Sequence, residues 1–255
     1  MKKTLIILLC SICAIVIILL LFVNRNDTSY IIFDNSLFLS FDNGIFKEVS
    51  SDDLFKKDYH AFYQKEYIGK YELYNIDSEY GRLFFSNSKS KDTYSFETPY
   101  LAITSGMEFV SFEVVDGVVE DLSYLTYDLD KYWLENVEEL DVFKKVLFDV
   151  DNDGSDESIY YASYCNLLDD DFDLEKSFSV VFMVDNNKVY VLEETNPYDA
   201  YVDEEDSFYT MDNLVLEYLL KSNKSIFMVV STKSTDLSFY SIYEFTGDDL
   251  ICKYS

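Results

Sequence analysis

The acidic segment 149–157 has the residue types and spacing best suited to a chemical role. Its sequence, DVDNDGSDE, places carboxylates at the first, third, fifth and ninth positions: Asp149, Asp151, Asp153 and Glu157. Gly154, at the sixth position, permits a tight turn. Alternating aspartates on such a turn direct their oxygens to one centre, and hard oxygen ligands are those that Ca²⁺ prefers. The segment therefore predicts a calcium loop with a structural ion, and Asp156 is expected outside the ligand set.

The residues on either side of this loop predict strands. Val146–Phe148 leads in and Ile159–Tyr161 leads out, and both runs are apolar and aromatic. An EF-hand needs flanking helices and a closing glutamate at its twelfth position, which here is Tyr160. The pattern thus excludes an EF-hand and favours a strand–loop–strand unit. A solvated acidic hairpin without a metal is the alternative.

The run Asp149-x-Asp151-x-Asp153-Gly154-x-x-Glu157 between two strands resembles the calcium loop of FG-GAP and VCBS-type repeats. This family occurs in integrin-like β-propellers, and the resemblance is best over residues 146–163. It implies a blade-like β unit. It also implies that the four acidic residues of the run supply the side-chain ligands for calcium.

The carboxy-terminal half of the chain contains an internal repeat. Residues 146–192 align with residues 218–253, and each unit supplies about four strands, the size of a propeller blade. In the second unit the short turn Lys221–Lys224 stands in place of the acidic loop. The predicted fold is therefore mainly β, with repeated four-stranded propeller-like units.

The remaining segments predict more strands and one or two short helices. Asn43-Gly44 between apolar runs predicts a tight hairpin, and residues 109–122 predict another one around Asp116-Gly117. Ser51 is a candidate N-cap for a helix that extends to about Tyr63. Apolar residues at three- and four-residue steps predict a second helix over 128–145, with Trp133 in its core face.

The amino terminus predicts a membrane anchor. Two lysines precede Thr4–Val23, a stretch of uncharged and mostly apolar residues that is long enough to cross a bilayer as a helix. No small-residue cleavage site follows, so residues 1–25 predict an uncleaved signal-anchor with residues 26–255 outside the cell. A lipoprotein is the rival interpretation, but Cys10 and Cys13 lack the small residue that should precede a lipidated cysteine. The remainder divides into 26–125 and 126–255.

The charge of the chain restricts its partners. With 20 basic and 48 acidic residues the net charge is −28, which repels nucleic acid and favours divalent cations or basic proteins. Cys165 and Cys252 could form one disulfide outside the cell or remain free thiols. His60, the only histidine, is expected to be a packing or surface residue.

No sequence motif of a nucleophilic, phosphate-binding, zinc or dinucleotide enzyme is present. We therefore expect a membrane-anchored extracellular module that binds a protein or glycan and carries a structural calcium ion. Two other functions remain open. One is an acidic inhibitor or immunity-type protein that neutralises a basic partner. The other is a glycan-active hydrolase with a carboxylate pair.

Overall fold

The computed structural model describes residues 28–34, 36–77, 82–86, 93–96, 100–118, 140–164, 178–195, 213–223, 225–233 and 238–255. These residues form antiparallel strands and one short 3₁₀ helix, Ser51–Leu54. The strands are β1 Ser29–Phe33, β2 Leu37–Asp42, β3 Ile45–Glu48, β4 Asp58–Tyr63, β5 Glu66–Asp77, β6 Arg82–Ser86, β7 Thr93–Phe96, β8 Tyr100–Ile103, β9 Glu108–Val110, β10 Val115–Asp116, β11 Val142–Phe148, β12 Glu157–Tyr164, β13 Phe178–Asp185, β14 Lys188–Thr195, β15 Asn213–Ser222, β16 Ser225–Lys233, β17 Ser238–Phe245 and β18 Leu250–Tyr254.

The strands form three sheets. The first sheet has eight strands in the order β3-β2-β1-β8-β4-β5-β6-β7. The central sheet has the order β18-β17-β16-β15-β9, and the third sheet has the order β10-β11-β12-β13-β14. The two repeat units are therefore two consecutive four-stranded meanders, β11–β14 in the third sheet and β15–β18 in the central sheet. One short strand from the amino-terminal half, β9 or β10, extends each meander.

The central sheet is buried on both faces. Tyr218, Phe227 and Ile242 share a core with residues of the first sheet such as Phe33 and Leu39. On the opposite face, Leu219, Met228 and Phe245 share a second core with residues of the third sheet such as Val146, Ile159 and Met183. Because successive side chains of a strand point to opposite faces, a strand between two sheets must be apolar almost throughout. This explains the continuous apolar runs of β15 and β16 and defines a three-layer β structure.

A β-bulge in β15 changes which face its side chains occupy. The register of β15 against β16 shifts between Leu216 and Tyr218, which places Glu217 at the bulge. Leu216 faces the third sheet, and Tyr218 faces the first sheet. The Glu217 carboxylate is buried, and the Ser231 hydroxyl donates a hydrogen bond to its Oε2 at 3.2 Å. The bulge thus accommodates one acidic residue within the apolar and aromatic run 214–220 of β15.

The Asn43-Gly44 hairpin is confirmed, whereas the helix predicted from Ser51 to Tyr63 is wrong beyond its first turn. Asn43 and Gly44 have φ values of 50° and 80° and connect β2 to β3. The 3₁₀ helix ends at Leu54, and Lys56 follows with a left-handed φ of 62°. Residues 58–63 form β4 because Tyr59 and Ala61 alternate into the core, which is the strand period of two.

Two further predictions require correction. Residues 142–145 of the predicted helix 128–145 belong to β11, which pairs with β12 over its whole length, while residues 128–139 lie outside the described residues.

The predicted hairpin at Asp116-Gly117 is also wrong over the described part of 109–122. There β9 pairs with β15 and β10 pairs with β11. Backbone pairing with distant strands has overridden the local turn pattern.

Gly117 permits a close approach between β10 and the ring of Phe143. A Cβ atom at position 117 would lie 2.3 Å from two carbons of that ring, which itself stacks on Tyr160. We expect Gly117→Ala to destabilise the protein by about 1–2 kcal/mol, since an added methyl group must displace a packed aromatic ring. Urea unfolding measures this loss. Gly117→Ala should cost less stability in a Phe143→Leu background than in the wild type, and an equal cost in both backgrounds would contradict the steric explanation.

The fold class is confirmed as mainly β, but the described strands do not close into a propeller. They form three stacked antiparallel sheets instead. The predicted amino-terminal membrane helix, residues 1–25, lies outside the described residues. Within the described residues, no helix is long and apolar enough to cross a membrane.

Candidate metal centre

The acidic loop connects β11 to β12 at one end of the third sheet. The two strands pair from Val142–Ser163 to Phe148–Glu157, so the ladder holds both ends of the loop together. Asn152 and Gly154 adopt left-handed φ values of 63° and 94°, which turn the backbone back on itself within a few residues. Glycine reaches this conformation without strain, as the sequence pattern predicts.

Three of the four predicted ligands converge. Asp149, Asp151 and Asp153 each offer a carboxylate oxygen, and these atoms lie within 4.8 Å of one another. Asp149 and Asp151 are half-buried, and Asp153 is exposed. Three negative charges at this separation repel each other, so the arrangement favours a cation at their centre.

Backbone amides of the loop hold these carboxylates in place. The Asp153 N–H donates to Oδ1 of both Asp149 and Asp151 at 3.0 Å. The Gly154 N–H donates to Asp149 Oδ2 at 3.1 Å, and the Ser155 N–H donates to Asp153 Oδ1 at 2.7 Å. Each carboxylate is thereby oriented by the backbone, and it retains lone pairs that could bind an ion.

Glu157, the fourth predicted ligand, lies at the base of the loop. Its side chain is buried, and its Oε2 accepts a hydrogen bond of 2.7 Å from the Val150 N–H. Burial raises the pKa of Glu157 to about 7, and the negative charges of Asp151 and Asp185 contribute to the rise. The Val150 hydrogen bond acts in the opposite direction. A buried carboxylate whose charged neighbours are both acidic is a group that a bound cation would stabilise.

Asp185 is an acidic neighbour that the sequence analysis did not identify. It ends β13, and the pairing of Ser158 with Val184 places it beside Glu157. Its charge also contributes to raising the pKa of Asp151, for which burial is the largest cause. The motif search could not find Asp185, because it lies 28 residues beyond Glu157 and approaches only through strand pairing.

The loop also contacts the turn between β17 and β18 in the central sheet. A Cβ atom at Gly247 would lie 2.9 Å from Asp151 Oδ2. Nearby, the Tyr190 hydroxyl donates to the Asp248 carbonyl at 3.4 Å, and the Tyr190 ring packs edge-on against Phe245. The candidate metal centre therefore lies where the two repeat units meet.

Gly247→Ala should weaken calcium binding, whereas Gly44→Ala should not. Both glycines have a left-handed φ, 87° and 80°, so alanine introduces a similar backbone strain of about 1 kcal/mol at each. Only at position 247 does the new methyl group push Asp151 away from the cluster. The melting temperature of each variant, measured over a series of calcium concentrations, compares their calcium binding. An equal calcium response in both variants would show that the Gly247 contact is irrelevant to the loop.

The other predicted residues are not brought to this centre. Asp156 is exposed on the loop, and the turn of the second repeat unit carries Asn223 with a φ of 44° between β15 and β16. Cys252 is an exposed free thiol whose Sγ contacts the Tyr254 carbonyl. Cys165 and Trp133 lie outside the described residues.

Comparisons of this chain with protein-family models, with curated proteins and with solved structures found no significant match.

Proposed function

We propose that the acidic loop binds a structural calcium ion and that the protein is a membrane-anchored, extracellular β-rich binding module. The observation that carries the proposal is the convergence of the Asp149, Asp151 and Asp153 carboxylates within 4.8 Å, beside the buried Glu157. These residues supply only oxygen donors, as a Ca²⁺ site requires. No nitrogen or sulfur ligand accompanies them among the described residues, which argues against zinc.

The position of the loop suits a structural role for the ion. It joins two strands of the third sheet and touches the Gly247 turn of the central sheet, so a bound ion would hold the two repeat units together. Extracellular calcium modules have dissociation constants of about 10⁻⁴–10⁻³ M, which matches an exposed loop in a calcium-rich medium.

The stacked sheets suit binding rather than chemistry. They offer a rigid surface with exposed aromatic residues on two strands, Tyr67 and Tyr74 on β5 and Phe239 on β17. Rigid aromatic side chains contribute large contact area at low entropic cost, and they are enriched in protein recognition surfaces.

Calcium should raise the melting temperature of the wild-type protein. At a concentration tenfold above the dissociation constant, the ion stabilises by about 1.4 kcal/mol, which corresponds to roughly 3–6 °C for a domain of this size. Asp151→Asn/Asp153→Asn should abolish the increase. The matched control, Asp156→Asn, removes an exposed charge of the same loop and should retain it. An unchanged wild-type melting temperature at about 10 mM calcium, tenfold above the upper end of the expected range, would exclude the site.

Protease treatment of intact cells tests the proposed location. With residues 26–255 outside, an added protease should degrade the ectodomain without cell lysis, while a cytoplasmic marker survives. Protection of the ectodomain until lysis would contradict the proposed topology. Because this readout does not depend on the acidic loop, it is independent of the calcium test.

A second candidate function is neutralisation of a basic partner, and the net charge of −28 favours it. Binding that depends mainly on this charge should collapse at about 0.3 M salt, where screening shortens the reach of surface charges.

A glycan hydrolase is less well supported. Among the described residues, the cleft beside His60 is lined by one carboxylate, Glu108, and a glycosidase of the usual kind needs two.

A further inference from the structure

A cleft opens where the first sheet meets the edge of the central sheet. It has a volume of about 430 Å³ and is lined by residues of β4, β8, β9 and the turn before β9, among them His60, Phe62, Ile103, Met107, Glu108 and Phe109. This volume falls within the range of about 300–1,000 Å³ that is typical of ligand clefts. The cleft is on a different pair of sheets from the acidic loop.

The walls of the cleft are aromatic. The Phe62 ring lies 5.0 Å from Phe109 and 5.4 Å from Tyr67, measured between ring centroids. The His60 ring lies 5.8 Å from Tyr67. Tyr67 contacts both of these lining residues and is 54% exposed, so one large ring beside the cleft remains accessible to a ligand. Such rings attract apolar groups and, through their faces, cations.

Among the described residues that line the cleft, Glu108 is the one that carries a formal charge at neutral pH. Glu108 is exposed on β9 and forms no ion pair among the described residues, although Lys221 lies opposite it on β15. Lys70 on β5 lies opposite His60 in the pairing of β4 with β5. The negative charges of Asp58 and Glu108 act in the direction that raises the pKa of His60. Burial, followed by the charge of Lys70, lowers the pKa of His60. The lowered pKa favours the neutral imidazole, which repels a cation less than a protonated ring does.

We propose that this cleft receives a lysine or arginine side chain of a basic protein partner. The aliphatic stem packs against Phe62, Met107 and Phe109, and the charged end reaches Glu108 and the face of Tyr67. The net charge of −28 repels anionic ligands and steers basic proteins towards the surface. This inference rests on the proposed binding function and specifies the chemistry of the partner.

Labelled oligoarginine and oligocitrulline peptides test the proposal on the full chain in neutral-lipid nanodiscs with millimolar calcium. Citrulline has nearly the shape of arginine but no charge. Fluorescence anisotropy should show binding of oligoarginine and little binding of oligocitrulline. Equal binding of both peptides, or binding of a neutral chito-oligosaccharide that competes with oligoarginine, would overturn the assignment of a cation to the cleft.

Paired variants separate the cleft from the general acidity of the protein. Tyr67→Ala and Glu108→Gln should each weaken oligoarginine binding about two- to fivefold, as expected for exposed cation–π and ion-pair contacts. Their matched controls are Tyr74→Ala, an exposed tyrosine on the same strand, and Glu113→Gln, an exposed glutamate of equal charge. Each control should remain close to the wild-type affinity. All four side chains are at the surface, so the variants should fold.

Lys70→Gln provides a test with the opposite sign. Removing this positive charge should tighten oligoarginine binding about twofold, since it no longer repels a cation near His60. Weaker binding of oligoarginine by this variant would overturn the proposal. If all cleft variants match their controls while the wild type still binds, the cleft proposal fails and the binding function survives. If the wild type binds no oligoarginine, the basic-partner inference fails, and the calcium and topology tests still decide the proposed function separately.

Discussion

Phe227→Ala should reduce the free energy of unfolding by about 3–5 kcal/mol, the usual cost of truncating a buried phenylalanine. Phe227 is 1% exposed on β16, and its ring centroid lies 5.3 Å from Phe41 and 5.0 Å from Phe46. The substitution leaves a cavity between the central and first sheets, where the relatively rigid strands restrict collapse around it. Urea unfolding followed by circular dichroism measures the loss.

Phe239→Ala is the matched control for this experiment. Phe239 lies on the adjacent strand β17 but is 60% exposed, so its truncation should change stability by no more than about 0.5 kcal/mol. A loss below about 1 kcal/mol for Phe227→Ala would contradict face-to-face packing of these two sheets. The result matters for function because the cleft is formed where the same two sheets meet.

In the presence of a chelator, the protein should lose about 2 kcal/mol of stability as pH rises from 4.5 to about 7, with allowance for solvent near the loop. The folded state raises the pKa of Glu157 from its ordinary value of 4.5 to about 7, so it binds a proton more tightly than the unfolded chain. The contribution of Glu157 to the free energy of unfolding is therefore fully present below pH 4.5 and is lost as pH rises through 7. Asp151, whose pKa is also raised, acts in the same direction.

Glu157→Gln should remove most of this pH dependence, because a neutral amide does not ionise. The difference between wild-type and variant stability at each pH isolates Glu157 from other titrating groups, including His60. Asp156→Asn, on the exposed side of the loop, should preserve the decrease. Chemical unfolding at several pH values provides the measurement. If the wild type gained stability relative to Glu157→Gln as pH rises over this interval, the Glu157 carboxylate would not be desolvated, and this would contradict the structure.

The acidic loop shows which residues of the candidate site can be predicted from sequence spacing. The alternation of Asp149, Asp151 and Asp153 with Gly154 was sufficient to predict a turn that brings three carboxylates together, because ligand geometry within nine residues is local. Asp185 and Gly247 could not be predicted as neighbours. They belong to turns 28 and 90 residues beyond Glu157, and only strand pairing and sheet packing bring them to the loop.

The strands were predicted better than their partners. The apolar runs Val146–Phe148 and Ile159–Tyr161 located parts of β11 and β12, and Asn43-Gly44 located the first hairpin, because these features depend on neighbouring residues. The Asp116-Gly117 hairpin was mispredicted because β9 and β10 pair with different distant strands. Similarly, the periodicity of 128–145 indicated a helix, but the backbone of 142–145 completes its hydrogen bonds with β12.

The sequence by itself determined the β class, the two four-stranded units and the ligand-like spacing of the acidic loop. These properties follow from side-chain alternation, turn chemistry and the reach of a few residues. Only the tertiary structure decided that the central sheet is covered on both faces, that the loop meets the Gly247 turn, and that aromatic residues of β4 and β9 form a cleft with Glu108. The physical reason is that burial of apolar faces selects which sheets stack, and that choice depends on all strands together.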